Sequence, residues 1–366
     1  MTQDKKYWIG FNLVKGIGSV RFKQICSYFG DLSVAWHAPS ESFKSAGLPT
    51  RALNNFIKLR AQIDLDRIYE DILNQDITVL TLMDEEYPRL LKEIDQSPPV
   101  LYIKGNLSPA DEFAVAMVGT RRISSYGQQI TCDLSLYLAS HGLTVVSGLA
   151  RGVDALAHQS ALNGGGRTIA VLGSGVDVIY PPEHRQLADA IVENGAIISD
   201  YPMGTKPEGI NFPPRNRIIS GLSLATIVIE AGERSGALIT ADFAIEQGRD
   251  VFAVPGNILS PSSRGTNRLI QNGATPLISP QDVLDVLDLA QLNEVKTARQ
   301  TLPADTTEAM ILKVMDHNPV HIDEISHKIG LPIEKVSATL TMMELKGLVQ
   351  HVGGMHYTAV REISPR

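Results

Sequence analysis

At 366 residues, with 43% hydrophobic and 20% charged side chains, the chain is long enough for two or three folded domains, and its composition excludes a disordered, collagen-like or disulfide-scaffold protein. Its formal net charge of −7 argues against a surface built for bulk polyanion binding, so any nucleic-acid site has to be a local cluster. Cys26 and Cys132 lie far apart without metal-site spacing, and neither a signal peptide nor an apolar run of about 18 residues stands out, so a cytoplasmic, reducing location is expected.

Residues 1–75 read as short helices, a helical SAM-like domain. Within them, residues 13–18 (LVKGIG) place a tight Gly-x-Gly turn between apolar stretches, as in a helix-hairpin-helix module. Such a turn points backbone N–H groups at a phosphate, and it serves plain helix packing equally well. Two strands are expected at 77–83 and 99–105, with a short helix behind Pro88 between them. Apolar strands then recur at 113–119, 143–148, 168–173, 196–200, 224–232 and 250–256, and a short one near 276–278 closes the series. Helices are expected between them at about 128–141, 153–162, 183–193 and 237–247, and a Pro- and Gly-rich loop from 201 to 214. This alternation predicts an α/β fold over residues 76–285, a Rossmann-like parallel sheet covered on both faces. Ligands of such sheets bind beyond the carboxyl ends of the strands.

Residues 286–304 are polar and read as a linker. Over 305–366, three helical segments (307–315, 322–330, 333–348) and a hairpin turning at Gly353-Gly354 predict a winged helix. In its third helix Glu334, Lys335, Glu344 and Lys346 cancel, which favours protein contact or weak DNA binding over duplex reading.

Residues 111–280 hold 12 cations, of which 11 are arginine and Lys206 is the single lysine. Arginine is the better bidentate partner for phosphate, although a plain compositional bias gives the same count. These cations gather at strand ends. The first β-α turn carries Gly119, Thr120 and Arg121, followed by Arg122, Ser124 and Ser125, and matches neither a dinucleotide fingerprint nor a P-loop. The second carries Ser147, Gly148 and Arg151, with Asp154 placed to cap the next helix and His158 read as packing or surface rather than catalysis. Gly173-Ser174-Gly175 fits a phosphate turn or a sharp bend equally. The segment 201–217 (YPMGTKPEGINFPPRNR) brings together Lys206, Phe212, Arg215, Asn216 and Arg217, with Glu208 as its one acid. Cations interleaved with an aromatic ring suit a single-stranded nucleic acid. The other reading is a structural loop whose arginines hold carbonyls or carboxylates. After the fifth of these strands come Glu230, then Arg234, Ser235 and Gly236, a helix N-terminus suited to phosphate. Glu230 reads either as a general acid or base, or, preferably, as a lock on Arg215 or Arg217. No carboxylate pair, metal-ligand cluster or activated nucleophile stands out, so a binder without metal or cofactor is expected rather than an enzyme.

The motifs VGTRRISSYG, SGLARGVDALAH, TIAVLGSGVDVIYPPEH, NFPPRNRIISGLS, EAGERSGALITADFAIEQGRDVFAVPGN and SSRGTNRLIQNGA resemble, in this order, those of the DNA-processing protein A (DprA/Smf) family. The resemblance is strong over 76–280 and looser in the flanking modules. It implies a single-stranded DNA-binding recombination mediator that protects incoming strands in natural transformation and helps load the RecA recombinase. It also implies a homodimer formed through the Rossmann-like domain and no enzymatic activity. Arg121 and the 206–217 loop would then form a basic pocket bordered by Ser147, Gly148, Arg151, Ser235 and Gly236. The alternative on the same scaffold is a nucleotide hydrolase cleaving an N-glycosidic bond with Glu230.

Overall fold

The computed structural model describes residues 5–288, 306–315, 320–345 and 349–359. It divides into two compact units, the first ending at Asp288. The first unit opens with helices α1 (Lys5–Asn12), α2 (Ser19–Phe29), α3 (Leu32–His37), α4 (Ser40–Ser45), α5 (Thr50–Arg60) and α6 (Leu65–Leu73). Asp31 and Asp64 cap α3 and α6, accepting from the second and third backbone N–H groups beyond them, which stabilises each start by about 1 kcal/mol. The helices close on an aromatic core of Trp8, Phe11, Phe22, Trp36, Phe43 and Phe56. Phe11 stacks on Phe56 with centroids 5.1 Å apart. That core continues without a break into Val79, Tyr102, Leu172 and Ile197 of the sheet region, so the helical module and the sheet share buried apolar area.

The sheet is built from β1 (Ile77–Thr81), β2 (Val100–Gly105), β3 (Ala114–Val118), β4 (Thr144–Ser147), β5 (Thr168–Val171), β6 (Gly195–Ser199), β7 (Ala225–Val228), β8 (Asp250–Ala253) and β9 (Thr275–Pro276). Helices α7 (Arg89–Lys92), α8 (Ser125–Ser140), α9 (Val153–Asn163), α10 (Arg185–Asn194), α11 (Phe212–Gly221), α12 (Gly236–Glu246), α13 (Arg264–Gln271) and α14 (Gln281–Val286) accompany it. The strand order is β1-β2-β6-β5-β4-β3-β7-β8-β9. Pairing is parallel from β6 through β9, as expected. At the other end β1 and β2 extend it antiparallel, β2 pairing with β6. Strands β3 to β7 are buried at every residue, the physical reason for their unbroken apolar runs. The chain winds outward from β3 to β6, then returns to β7 beside β3. The topological switch point therefore lies between β3 and β7.

One expectation is corrected here. The loop after β6 does not run to residue 214. Helix α11 begins at Phe212 and takes Pro213 and Pro214 into its first turn, where the missing N–H groups cost nothing. Arg215 and Arg217 are thus helical residues.

The second unit contains α15 (Thr306–Val314), β10 (Val320–His321), α16 (Ile322–Ile329), α17 (Ile333–Leu345), β11 (Val349–Gly353) and β12 (His356–Ala359). Ile311, Ile325, Val336, Leu340 and Met343 form its core. The hairpin is joined by β10 into a sheet of order β10-β12-β11, completing a winged helix. The linker read at 286–304 falls outside the described residues from 289 onward, as does Lys346. No helix among the described residues is long and apolar enough to cross a membrane.

Candidate functional site

A cleft of about 850 Å³ opens at the switch point. Gly119, Thr120 and Arg121 form one wall where β3 ends. Arg234, Ser235 and Gly236 form another at the start of α12. Phe212, Arg215, Asn216 and Ile219 of α11 form the third, at the spacing that puts them on one helix face. The walls are tied together. Thr120 donates its N–H to the Glu230 carbonyl at 2.8 Å, and Asn216 donates through Nδ2 to the Gly236 carbonyl at 3.3 Å. Ser235 caps α12 by accepting from Ala237 N–H at 3.3 Å. Gly236 faces open space and heads an 11-residue helix, so the positive end of the helix dipole meets the cleft.

The electrostatics are one-sided. Arg121 and Arg234 are exposed and make no ion pair or hydrogen bond among the described residues. Arg215 is buried at 4% exposure, and its Nη1 donates to the carbonyls of Gly148, at 2.8 Å, and Val171. Burial pulls this guanidinium down to about 10, against the attraction of Asp154, so it stays charged at neutral pH. Burial pushes the Asp154 carboxyl up, while Arg215 and the N–H groups of Ala150 and Gly148 work the other way. Three guanidinium groups thus face one buried carboxyl group in the cleft. Gly148 has to be glycine, because a Cβ there would lie 2.3 Å from Arg215 Nη1. The half-buried ring of Phe212 lies beside these charges. The Arg121 and Arg215 guanidinium carbons lie 5.7 and 6.0 Å from its centroid, and the Tyr180 ring lies 5.8 Å away.

Comparison with known proteins decides what this arrangement belongs to. Residues 78–288 match the model of DNA recombination-mediator protein A, and residues 295–355 match that of the DprA winged helix domain. The chain belongs to the DNA recombination-mediator protein A family. It is 38% identical to Protein Smf of Synechocystis over 97% of this chain and 99% of that one. The crystal structure of DNA processing protein A from Streptococcus pneumoniae superposes with a TM-score of 0.67 at 36% identity, covering 78% of this chain and 98% of that one. The protein from Helicobacter pylori, solved to describe its unique single-stranded DNA binding mode, matches with a TM-score of 0.52 at 31% identity over 58% and 95%.

In this DprA-family chain the strand-end residues divide into three groups. Gly119, Thr120, Arg121, Phe212, Arg215, Asn216, Ser235 and Gly236 line the cleft. Gly148 and Arg151 line a narrow arm of it, and Arg151 is held by Glu183 through a 2.6 Å Nε–Oε1 bond. Ser147, Lys206 and Arg217 do not line it. Ser147 is buried and donates to the Met117 carbonyl at 2.6 Å. Lys206 is exposed, directly before the cleft residue Pro207. Arg217 points to the other side of α11, pairing with Asp200 at 2.8 Å and donating to the carbonyls of Gln96 and Pro214. The single basic pocket expected over 206–217 is therefore split by helical geometry. Residues two apart on a helix face different sides, so the structural-loop reading describes Arg217.

Glu230 is also corrected. It locks neither arginine and does not line the cleft. At 3% exposure it accepts from Ser124 N–H at 2.9 Å, Ser124 Oγ at 2.6 Å and Ser262 Oγ at 3.2 Å, fastening the start of α8 to the loop after β8. A carboxylate saturated in this way has no access to a glycosidic bond. Arg234, named at the α12 helix start, was left out of the expected basic pocket although it lines the cleft. Its adjacency to Ser235-Gly236 at a helix start was the available signal. Of the packing and surface readings of His158, the structure has the first: it is buried, with Nδ1 2.6 Å from Thr168 Oγ1 and pulled down to about 3 by burial first and by His184 and Arg215 next.

Proposed function

We propose that the switch-point cleft binds single-stranded DNA, and that the protein holds and protects incoming strands during transformation and passes them to the RecA recombinase, acting as a homodimer. The observation that carries the DNA reading is the cleft itself, where Arg121, Arg215 and Arg234 surround the Phe212 ring at the head of a helix. Cations track phosphates, and a ring gives a base a face to stack on without choosing among bases. The single-stranded DNA binding mode of the Helicobacter pylori relative supports this reading. RecA transfer and dimerisation rest on family membership. The test is fluorescence anisotropy with labelled oligothymidylate against duplex of equal length across a salt series, followed by RecA filament assembly on strands coated with single-strand-binding protein. Preference for the single strand with a negative salt slope, and faster filament assembly, are expected. Equal duplex affinity, or none for either, refutes the DNA reading. Unaltered filament assembly refutes the mediator step.

A further inference from the structure

The turn at residues 13–18 is not absorbed by the cleft. It joins α1 to α2, and α5 packs against it: Asn55 Nδ2 donates to the Lys15 carbonyl at 2.7 Å, and a Cβ at Gly16 would lie 3.7 Å from Ala52 Cβ. Residues 13–30 and 49–61 contain six cations, Lys15, Arg21, Lys23, Arg51, Lys58 and Arg60, and no acid. In a chain of net charge −7 this is a concentrated patch. Arg21, Lys23 and Arg60 donate to backbone carbonyls, which leaves their charge uncompensated. Lys15, Arg51 and Lys58 are exposed, and their side chains bond to nothing among the described residues.

The patch is joined to the cleft by one short segment of the same compact unit. Asn12, at the end of α1, donates to the Asp200 carbonyl at 3.3 Å, and Met203 packs against the continuous core that the helical module shares with the sheet. Four residues further on, Pro207 already lines the cleft, as does Gly209. Between Met203 and Pro207 stands Lys206, its side chain exposed and unpaired among the described residues.

We propose that the α2–α5 face is a second phosphate-binding surface, and that a single strand seated in the cleft continues across Lys206 onto Lys15, Arg51 and Lys58. This rests on the reading of the cleft as a single-strand site. Among the described residues Lys15, Arg51 and Lys58 stand over no aromatic ring, in contrast to Arg121 and Arg215 beside Phe212, so these three cations grip the backbone and leave the bases alone. Affinity therefore gains with strand length and is indifferent to sequence.

The experiment uses the full chain, with labelled oligothymidylates of about 6 and about 25 nucleotides, which respectively fill one site and exceed it. Three variants are compared across a salt series: Lys15→Ala/Arg51→Ala/Lys58→Ala, Lys206→Ala, and Arg121→Ala/Arg234→Ala. Thermal unfolding confirms that each is folded. For the long strand, the patch triple lowers the salt slope by about 2 and weakens binding about 50-fold at 0.15 M salt, from about 0.7 of an ion per lost phosphate contact. The short strand is unaffected by the triple and weakened by the cleft double. Lys206→Ala lowers the long-strand slope by about 0.7. If the triple leaves long-strand binding as in wild type while the cleft double weakens both strands, the second surface is refuted and the cleft reading stands. If the cleft double binds both strands as wild type does, the cleft reading fails, and the continuous path fails with it.

Discussion

The sharpest quantity the cleft offers is its salt dependence. Arg121, Arg215 and Arg234 present three positive charges, and each phosphate neutralised on a single strand contributes about 0.7 to the slope of log K against log salt. A strand of about 6 nucleotides, confined to the cleft, should therefore show a slope of about −2 and lose about 18-fold in affinity between about 50 and 200 mM salt. Arg121→Ala leaves two charges, a slope of about −1.4 and a loss of about 7-fold over the same range. Arg121→Ala/Arg234→Ala leaves the buried Arg215 alone, with a slope of about −0.7 and a loss of under about 3-fold. The Arg121 contact with the Phe212 ring, at 5.7 Å, adds a separate and largely salt-independent component, so slope and intercept resolve the two roles. Anisotropy titrations at four or more salt concentrations measure both. A double variant that keeps the wild-type slope would sink the assignment, because the charges that set the slope would then lie elsewhere.

Phe212→Leu should weaken the same short strand by about 1 kcal/mol, roughly 5-fold, with no change in slope; a changed slope would mean the ring positions a cation rather than a base. Arg217→Ala should leave short-strand binding and its slope intact but destabilise the fold by about 3 kcal/mol in urea unfolding, because Asp200, 14% exposed, loses its partner. Destabilisation below about 1 kcal/mol would contradict the buried-pair reading. His158 is neutral when folded down to about pH 3, whereas its unfolded value is 6.5, so the unfolded chain takes up the proton first. Stability supplied by neutral His158 is complete above pH 6.5 and falls by about 1.4 kcal/mol per unit as pH drops toward 3. The penalty of His158→Gln should accordingly shrink by about 2 kcal/mol between about pH 6.5 and pH 5; a constant penalty across that interval would contradict it.

The strands were legible in the sequence because β3 to β7 are enclosed on both faces, and enclosure writes itself as unbroken apolar runs. The direction of β1 and β2 was not, since an apolar run carries no sign of which way its neighbour runs. Helix α11 was hidden by its own start. Pro213-Pro214 after a Gly-rich stretch reads as loop, yet prolines are welcome in a first helical turn. That misreading propagated into the site, because Arg215 and Arg217 sit close together along a string but on different sides of a helix. The anion-friendly strand ends at Gly119–Arg121 and Ser235-Gly236 were legible because parallel sheets gather ligands there. The partner of Glu230 was out of reach of sequence reasoning: Ser124 lies 106 residues away and meets it only through the β3–β7 pairing.

The buried guanidinium of Arg215 has a mechanical consequence. Its Nη1 is committed to two backbone carbonyls, so the charge cannot swing out to follow a particular phosphate. With a single strand seated in the cleft as proposed, it would act as a fixed field behind the wall, felt equally by each phosphate that passes. A strand displaced by one nucleotide meets the same potential as before, so register along the strand has little energetic cost at that point. Friction against movement is then set by the Phe212 ring and by the exposed side chains of Arg121 and Arg234, which let go and catch again within the ordinary times of side-chain motion. A holder built this way retains a strand firmly while leaving it free to be drawn through.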